Sequence, residues 1–230
     1  MAISAAQMVY EALAIAKCPG FLPQGGRALN LVLSDLVMHR NLKVNCVSAV
    51  IAVPAGSNGP FSLELNYLRT LDLFYLVDGE PFFLTPSNRV QFDSEPSKAT
   101  MSNYPYEWAS DLSMVTPSVP GQLWIYPQSS TNLSLTHRYM VRRPDITTPE
   151  ASSVIPWFED QDYLIQATAL RIMRITDDSR YALFENECER LLETHLLTEG
   201  DEQQVVKEVQ LDPRRFRSAG ATRPTKTNPW

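Results

Sequence analysis

Cysteine, histidine and glycine are all scarce in this 230-residue chain, and each shortage excludes something. The three cysteines, Cys18, Cys46 and Cys188, are scattered and odd in number. With no CxxC or Cys/His spacing, they argue against a disulfide framework and a structural zinc, and read as small buried hydrophobes. The three histidines, His39, His137 and His195, stand apart with no metal-ligand neighbour at a suitable spacing. They read as a helix cap, a strand-face residue and part of an apolar stripe. No run approaches eighteen apolar residues, so nothing is expected to span a membrane. The opening MAISAAQMVYEALAIAK has no basic stretch before its apolar residues and does not read as a signal peptide. The glycosylation sequon Asn132-Leu133-Ser134 then carries no weight, and the chain is expected to be intracellular when made. GxSxG, P-loop, GxGxxG and HExxH patterns are all missing. No catalytic residue, cofactor or metal is therefore assigned, and an enzyme is not expected.

Charge is distributed unevenly. Of the 20 basic residues, Arg214, Arg215, Arg217, Arg223 and Lys226 fall in the last eighteen positions, which carry no acid. Residues 1–212 then hold 15 basic side chains against 26 acidic, a body of −11 with a tail of +5. An acidic body argues against chain-wide affinity for nucleic acid. The tail has too little apolar surface to fold alone. It reads as a solubilising end, as a nucleic-acid arm held by phosphate contacts, or as an arm docked in another chain. In the last case arginines would fork onto carboxylates while Phe216 and Trp230 fill pockets. A composition of 44% apolar and 20% charged residues supports a real core in the body.

The spacing predicts a helix over residues 4–17, with Ser4 and Gln7 as a capping box and Ile3 and Met8 at the staple positions. Gly25-Gly26 is expected to open a second helix carrying Leu29, Val32, Leu33 and Leu36, closed by His39 and Asn41. The period then changes. Residues 42–53, rich in β-branched side chains, read as a strand, and 54–60 as a loop. Asp78-Gly79 is a type I′ hairpin signal, and its flanks LDLFYLV and PFFL are apolar on both faces. They should be covered on both sides, by a second sheet or a neighbouring subunit. Residues 86–120 read as polar and irregular, with Tyr104, Tyr106 and Trp108 in the middle. Gln122–Tyr126 and Asn132–Arg142 read as strands, the latter with Leu133, Leu135, His137, Tyr139 and Val141 on one face. The proline-rich residues 144–156 form a connector. A buried central helix over 158–175 and an amphipathic one from Tyr181 to Gly200 follow, separated by Asp177-Asp178-Ser179.

The expected fold is therefore α+β. Helical pieces 1–41 and 157–199 form one small bundle, because neither pair buries its apolar face alone. Residues 42–145 are a β-rich insertion, 146–156 a connector and 200–230 an extended C-terminal arm. Two carboxylate groups invite a hydrolytic alternative. Glu107 and Asp111 beside the aromatic trio could line a sugar-cleaving groove, and Glu185, Glu187 and Glu189 could pair. The second set is more simply a solvated helix face.

The segments GGRALNLVLSDL and PWFEDQDYLIQATALRIMRITDDSRYALFENECERLL, with the Gln122–Pro144 stretch QLWIYPQSSTNLSLTHRYMVRRP, resemble head-to-tail adaptor (connector) proteins of short-tailed bacteriophages. The likeness runs over most of residues 1–198. It implies a helical bundle with a β insertion that assembles as a dodecameric ring beneath the capsid's portal, with a tail nozzle or tail-fibre protein on its other face. Residues Lys207–Trp230 match the portal-docking arm, so Arg214, Arg215, Phe216, Arg217, Arg223, Lys226 and Trp230 become its contact residues. Asp78, Gly79, Tyr104, Tyr106 and Trp108 become candidates for subunit or tail contacts. The implied location is the head–tail junction of the virion. Double-stranded DNA would pass through the ring without sequence-specific binding, and an acidic lining would keep its phosphates from sticking.

Overall fold

The computed structural model of the chain describes residues 3–94, 101–113 and 119–199. The fold is α+β: a four-helix bundle interrupted by a β-sandwich. The expected arm at 200–230, with all of its named basic and aromatic residues, lies outside the described residues.

Helix α1, Ala5–Ile15, starts where its capping box places it. The Ser4 hydroxyl accepts from the Gln7 amide at 3.3 Å, and the Ser4 amide donates to Gln7 Oε1 at 3.0 Å. Its second turn is anchored by Met8 and Val9, both fully buried. At the other end Lys17 takes a left-handed φ of 58°, and the Cys18 amide closes back on the Leu13 carbonyl at 3.0 Å. This Schellman-type stop is the kind usually given to glycine.

Helix α2, Leu22–His39, begins three residues before the expected glycines, with Pro23 in its first turn. Gly25 and Gly26 sit inside it because neighbouring chain lies against them. A Cβ on Gly25 would come within 2.9 Å of Val9, and one on Gly26 would meet Pro149 and Glu150. The glycines permit close approach rather than mark a turn.

The connector is also more ordered than a linker. Its single 3-10 turn, Pro149–Ala151, packs on both α1 and α2. Val154 and Ser152 carbonyls accept from the Ala5 and Ala6 amides at 2.8 and 3.1 Å, satisfying two donors that the start of α1 leaves open. Asn30 meets the Ile146 backbone twice, donating to its carbonyl at 2.9 Å and accepting from its amide at 3.0 Å.

Helix α4, Gln161–Ile175, is capped by Asp160, which accepts from the Tyr163 amide at 2.9 Å (a six-residue helix in the insertion, below, takes the label α3). It touches α1, α2 and the last helix, α5, Tyr181–Glu199. Leu164, Ala169, Ile172 and Met173 are fully buried against all three neighbours. Truncating Leu164 to Ala would cost about 2–5 kcal/mol on the usual core scale. Between α4 and α5, Asp177 has a positive φ of 53° and Asp178 accepts from the Arg180 amide at 2.9 Å, so the expected break and re-cap is present.

The insertion is a sandwich of two four-stranded sheets. One has the order β1 (Cys46–Val53), β10 (Leu133–Val141), β3 (Tyr67–Val77), β4 (Glu80–Phe83), antiparallel throughout. The other has the order β2 (Phe61–Ser62), β8 (Gln122–Tyr126), β7 (Glu107–Asp111), β5 (Thr85–Pro86). Leu73, Tyr75 and Leu135 of the first sheet close on Leu123 and Ile125 of the second. The short pair β6 (Met101–Ser102) and β9 (Gln128–Ser129) and helix α3 (Arg89–Ser94) complete it.

Three expectations are corrected here. Residues 42–45 turn, with a 3-10 helix over Lys43–Asn45, before the strand begins at Cys46. The stretch 86–120, expected to be irregular, contains α3, β6 and the interior strand β7. Ala109 on β7 is fully buried, and apolar residues there sit among too many polar ones for their period to stand out. The alternation of Asn132–Arg142 holds only to Arg138: two register shifts against β3 follow, and Tyr139, Met140 and Val141 are all buried. The hairpin itself forms as expected, with φ of 53° at Asp78 and 90° at Gly79, but only one of its faces is covered among the described residues.

The sandwich hangs from the bundle by arginines. Arg69 on β3 points its guanidinium at the C-terminal end of α2. It donates to the carbonyls of Val37 (3.1 Å), Met38 (2.9 Å) and Arg40 (2.8 Å) and to Asn41 Oδ1 (2.9 Å). These include carbonyls that a helix end leaves without partners, at the negative pole of its dipole. Arg143 makes a different tie, joining the two ends of the insertion: it donates to the Val44 carbonyl at 2.7 Å and to Asn45 Oδ1 at 2.9 Å. Replacing Arg69 with Ala should lower the unfolding free energy by about 2–3 kcal/mol in urea titrations, given charged hydrogen bonds to half-buried carbonyls. Arg69→Lys should recover less than half, because an ammonium cannot fork. A loss within about 0.5 kcal/mol of zero for Arg69→Ala would refute this role.

Candidate functional site

The isolated histidines find structural surroundings. His39 lies at the end of α2, its Nδ1 3.1 Å from the Asp35 carbonyl. His195 faces Phe158 at a ring separation of 4.7 Å, with Asp160 4.0 Å away. His137 is buried on β10, stacked on Tyr139 at 4.9 Å, with Nε2 2.9 Å from the Thr70 hydroxyl. Burial pushes its pKa down to about 4, so the ring is neutral in the folded chain at neutral pH.

Glu107 and Asp111, the carboxylates suggested for hydrolysis, occupy the two ends of β7, four residue steps and about 13 Å apart along the strand. Asp111 is committed to a local turn: the Ser113 hydroxyl and amide donate to it at 2.6 and 2.9 Å and hold its pKa below the usual range. On α5, Glu185 accepts from the Tyr181 hydroxyl at 2.9 Å and Glu187 lies 3.9 Å from Arg190, as expected of a solvated helix face. No cluster of three or more His, Cys, Asp or Glu suited to a metal occurs among the described residues. Cys188 is buried and its thiol is pushed up to about 11, chiefly by desolvation.

The candidate contact residues fall into two sets. Trp108 is half-buried on β7 and packs on the sandwich core. Tyr104 and Tyr106 are exposed, Tyr104 by 52%, and Tyr106 leans edge-on against Tyr126 at 5.8 Å. The hairpin reaches this loop directly. The Tyr75 hydroxyl, raised to about 12 chiefly by burial, donates to the Pro105 carbonyl at 3.0 Å, and the Thr85 amide donates to the Tyr106 carbonyl at 2.8 Å. Asp78 and Gly79 form the tip beyond.

The hairpin's flanks carry the surface that residue type alone did not single out. Phe74 and Phe83 face each other across β3 and β4 at 5.2 Å on the side turned away from the second sheet. Leu76 is 63% and Phe83 53% exposed there, while Phe82 is exposed beside Tyr75 on the other side. The apolar flanks signalled this surface in the sequence, but which face stays open depends on where the second sheet packs. This face is apolar and open among the described residues, while Tyr104 and Tyr106 belong to the loop that Tyr75 meets on the second-sheet side. Two grooves lie on the bundle. One of about 690 Å³ lies where α2 meets the connector and is lined by Arg27, Asn30, Met38, Arg142 and Asp145. The other, of about 460 Å³, runs along α2, α4 and α5 over Leu31, Leu170 and Tyr181.

No protein-family model matches the chain, and a search of curated proteins gives no match either.

The buried neutral His137 makes a pH prediction. The unfolded chain takes up a proton near pH 6.5 and the folded one only near pH 4. Its contribution is complete above pH 6.5 and is lost as pH falls toward 4, with a slope of at most about 1.4 kcal/mol per pH unit. His137→Phe should flatten that part of the stability curve in urea melts run from pH 7 to 4. Parallel curves for the two proteins would refute it.

Proposed function

We propose that the chain is a structural virion protein: a ring-forming connector that joins the portal vertex of a short-tailed phage capsid to the tail and continues the DNA channel. The observation that carries this reading is the apolar flank of the hairpin, Leu76 and Phe83, left open among the described residues. An apolar surface of this kind suits contact with another protein more than contact with solvent. It sits on a four-helix bundle with a β insertion, the layout that the adaptor resemblance calls for. In this reading Asp78, Gly79, Tyr104 and Tyr106 meet a neighbouring subunit or the tail nozzle. The basic tail from Pro213 to Trp230 docks in the portal. Repetition around a ring lets a modest contact per copy hold a large assembly. The 26 acidic side chains of the body suit a channel through which duplex DNA slides without sticking. The hydrolytic alternative would have to work with an Asp111 that Ser113 already holds in a local turn.

Deleting residues 213–230 should leave the thermal midpoint of the body unchanged and abolish its co-sedimentation with portal rings. Virions assembled with the truncated chain should then lack tails. Normal yields of filled, tailed particles would overturn the docking role of the arm.

A further inference from the structure

The two edges of the larger sheet differ in a way that points to a partner. Among the described residues strand β1 pairs on one side only, with β10, and its other row of backbone N–H and C=O groups lies along the sheet edge. Its eight residues, CVSAVIAV, contain no charge and no proline. Natural edge strands are normally guarded by one or the other, or are short or bulged. Val50 at its centre is 70% exposed and Val47 is also exposed. The opposite edge, β4, is short and holds Pro81. In a two-residue hairpin Val77 and Glu80 bond to each other, so Pro81 and Phe83 serve the free side of β4. Pro81 brings no N–H, which leaves two carbonyls and one amide there.

We infer that β4 of one copy adds to β1 of the next, continuing the sheet from subunit to subunit; the inference rests on the ring-forming reading given above. Strand direction fits. Each neighbouring pair in the order β1-β10-β3-β4 is antiparallel, so β4 runs opposite to β1 and meets the next copy's β1 as an antiparallel partner. Side-chain chemistry fits as well. Phe82 and Phe83 are exposed on one edge and Val47 and Val50 on the other, and aromatic–β-branched pairs are among the favourable cross-strand combinations. Proline and the short length of β4 prevent it from pairing with its own kind, while β1 supplies the longer ladder. Because two different surfaces meet, the contact is head-to-tail, which closes into a ring when the rotation permits.

The test uses the full chain with Cys18 and Cys46 changed to serine. Val50→Cys with Phe83→Cys, treated with a short bismaleimide, should give a ladder of covalent oligomers extending past the dimer. Val50→Lys and Phe83→Glu should each raise the concentration for half-assembly at least tenfold with unchanged thermal midpoints, since both positions are exposed. The double variant Val50→Lys/Phe83→Glu should regain most of the loss by setting Lys against Glu. Single variants that assemble like the parent, or cross-links confined to β1–β1 dimers, would overturn the contact. Portal-bound rings that form unchanged with Val50→Lys would overturn it while leaving the connector reading intact. A ladder dependent on Val50 and Phe83 in a chain that never binds portal would support the edge contact and sink the connector reading.

Discussion

The Arg69 guanidinium is the joint between two structures that otherwise share little. The bundle has its own core of helix side chains and the sandwich has another. Where the chain leaves α2, the last carbonyls of the helix need donors and the first residues of the insertion need a fixed direction. One planar fork from β3 meets both needs, reaching the carbonyls of Val37, Met38 and Arg40 and the Asn41 side chain together. Arg143, at the return crossing, holds Val44 and Asn45. The exit and the re-entry of the insertion are thus clamped within a few residues of each other. The orientation of the hairpin and its exposed flank relative to the helices follows from those clamps.

Local rules were legible wherever a few neighbouring residues decide the outcome. Ser4 with Gln7, the Asp78-Gly79 turn and the buried stripe of α4 all form as the chain suggests, because each depends on contacts inside its own segment. Features set by distant partners were harder to see. Gly25 and Gly26 look like a helix start in the sequence. Their role comes from Val9 and from Glu150, some 125 residues away from Gly25 and Gly26 in the chain in the latter case. Strand β7 is hidden because its polar residues, Glu107, Ser110 and Asp111, mask a strand held by β8 and β5 on either side. The arginine clamps have no sequence signature, since any surface arginine looks alike until the carbonyls it meets are known.

The candidate surface divides in the same way. The aromatic trio was visible as residue types, but Trp108 differs from Tyr104 and Tyr106 only because β7 turns it onto the core. The apolar hairpin flanks were legible as needing two covers. The second sheet supplies one, through Tyr75 and its contact with Pro105.

The other cover must be weighed against the general cost of leaving such a surface wet. Single exposed apolar residues are ordinary, but Leu76, Phe83 and the phenyl ring of Phe74 beneath lie together on one sheet face. A sheet with one such face, one edge closed by proline and one edge left bare is asymmetric in the sense that favours an ordered, directional contact over indiscriminate pairing. Proline in β4 and the lack of proline or charge in β1 are two halves of one arrangement: a sheet guarded at both edges would stay single, and one bare at both would aggregate. The clamps at Arg69 and Arg143 then matter beyond stability. They fix the direction in which the open flank of the hairpin points relative to the helices.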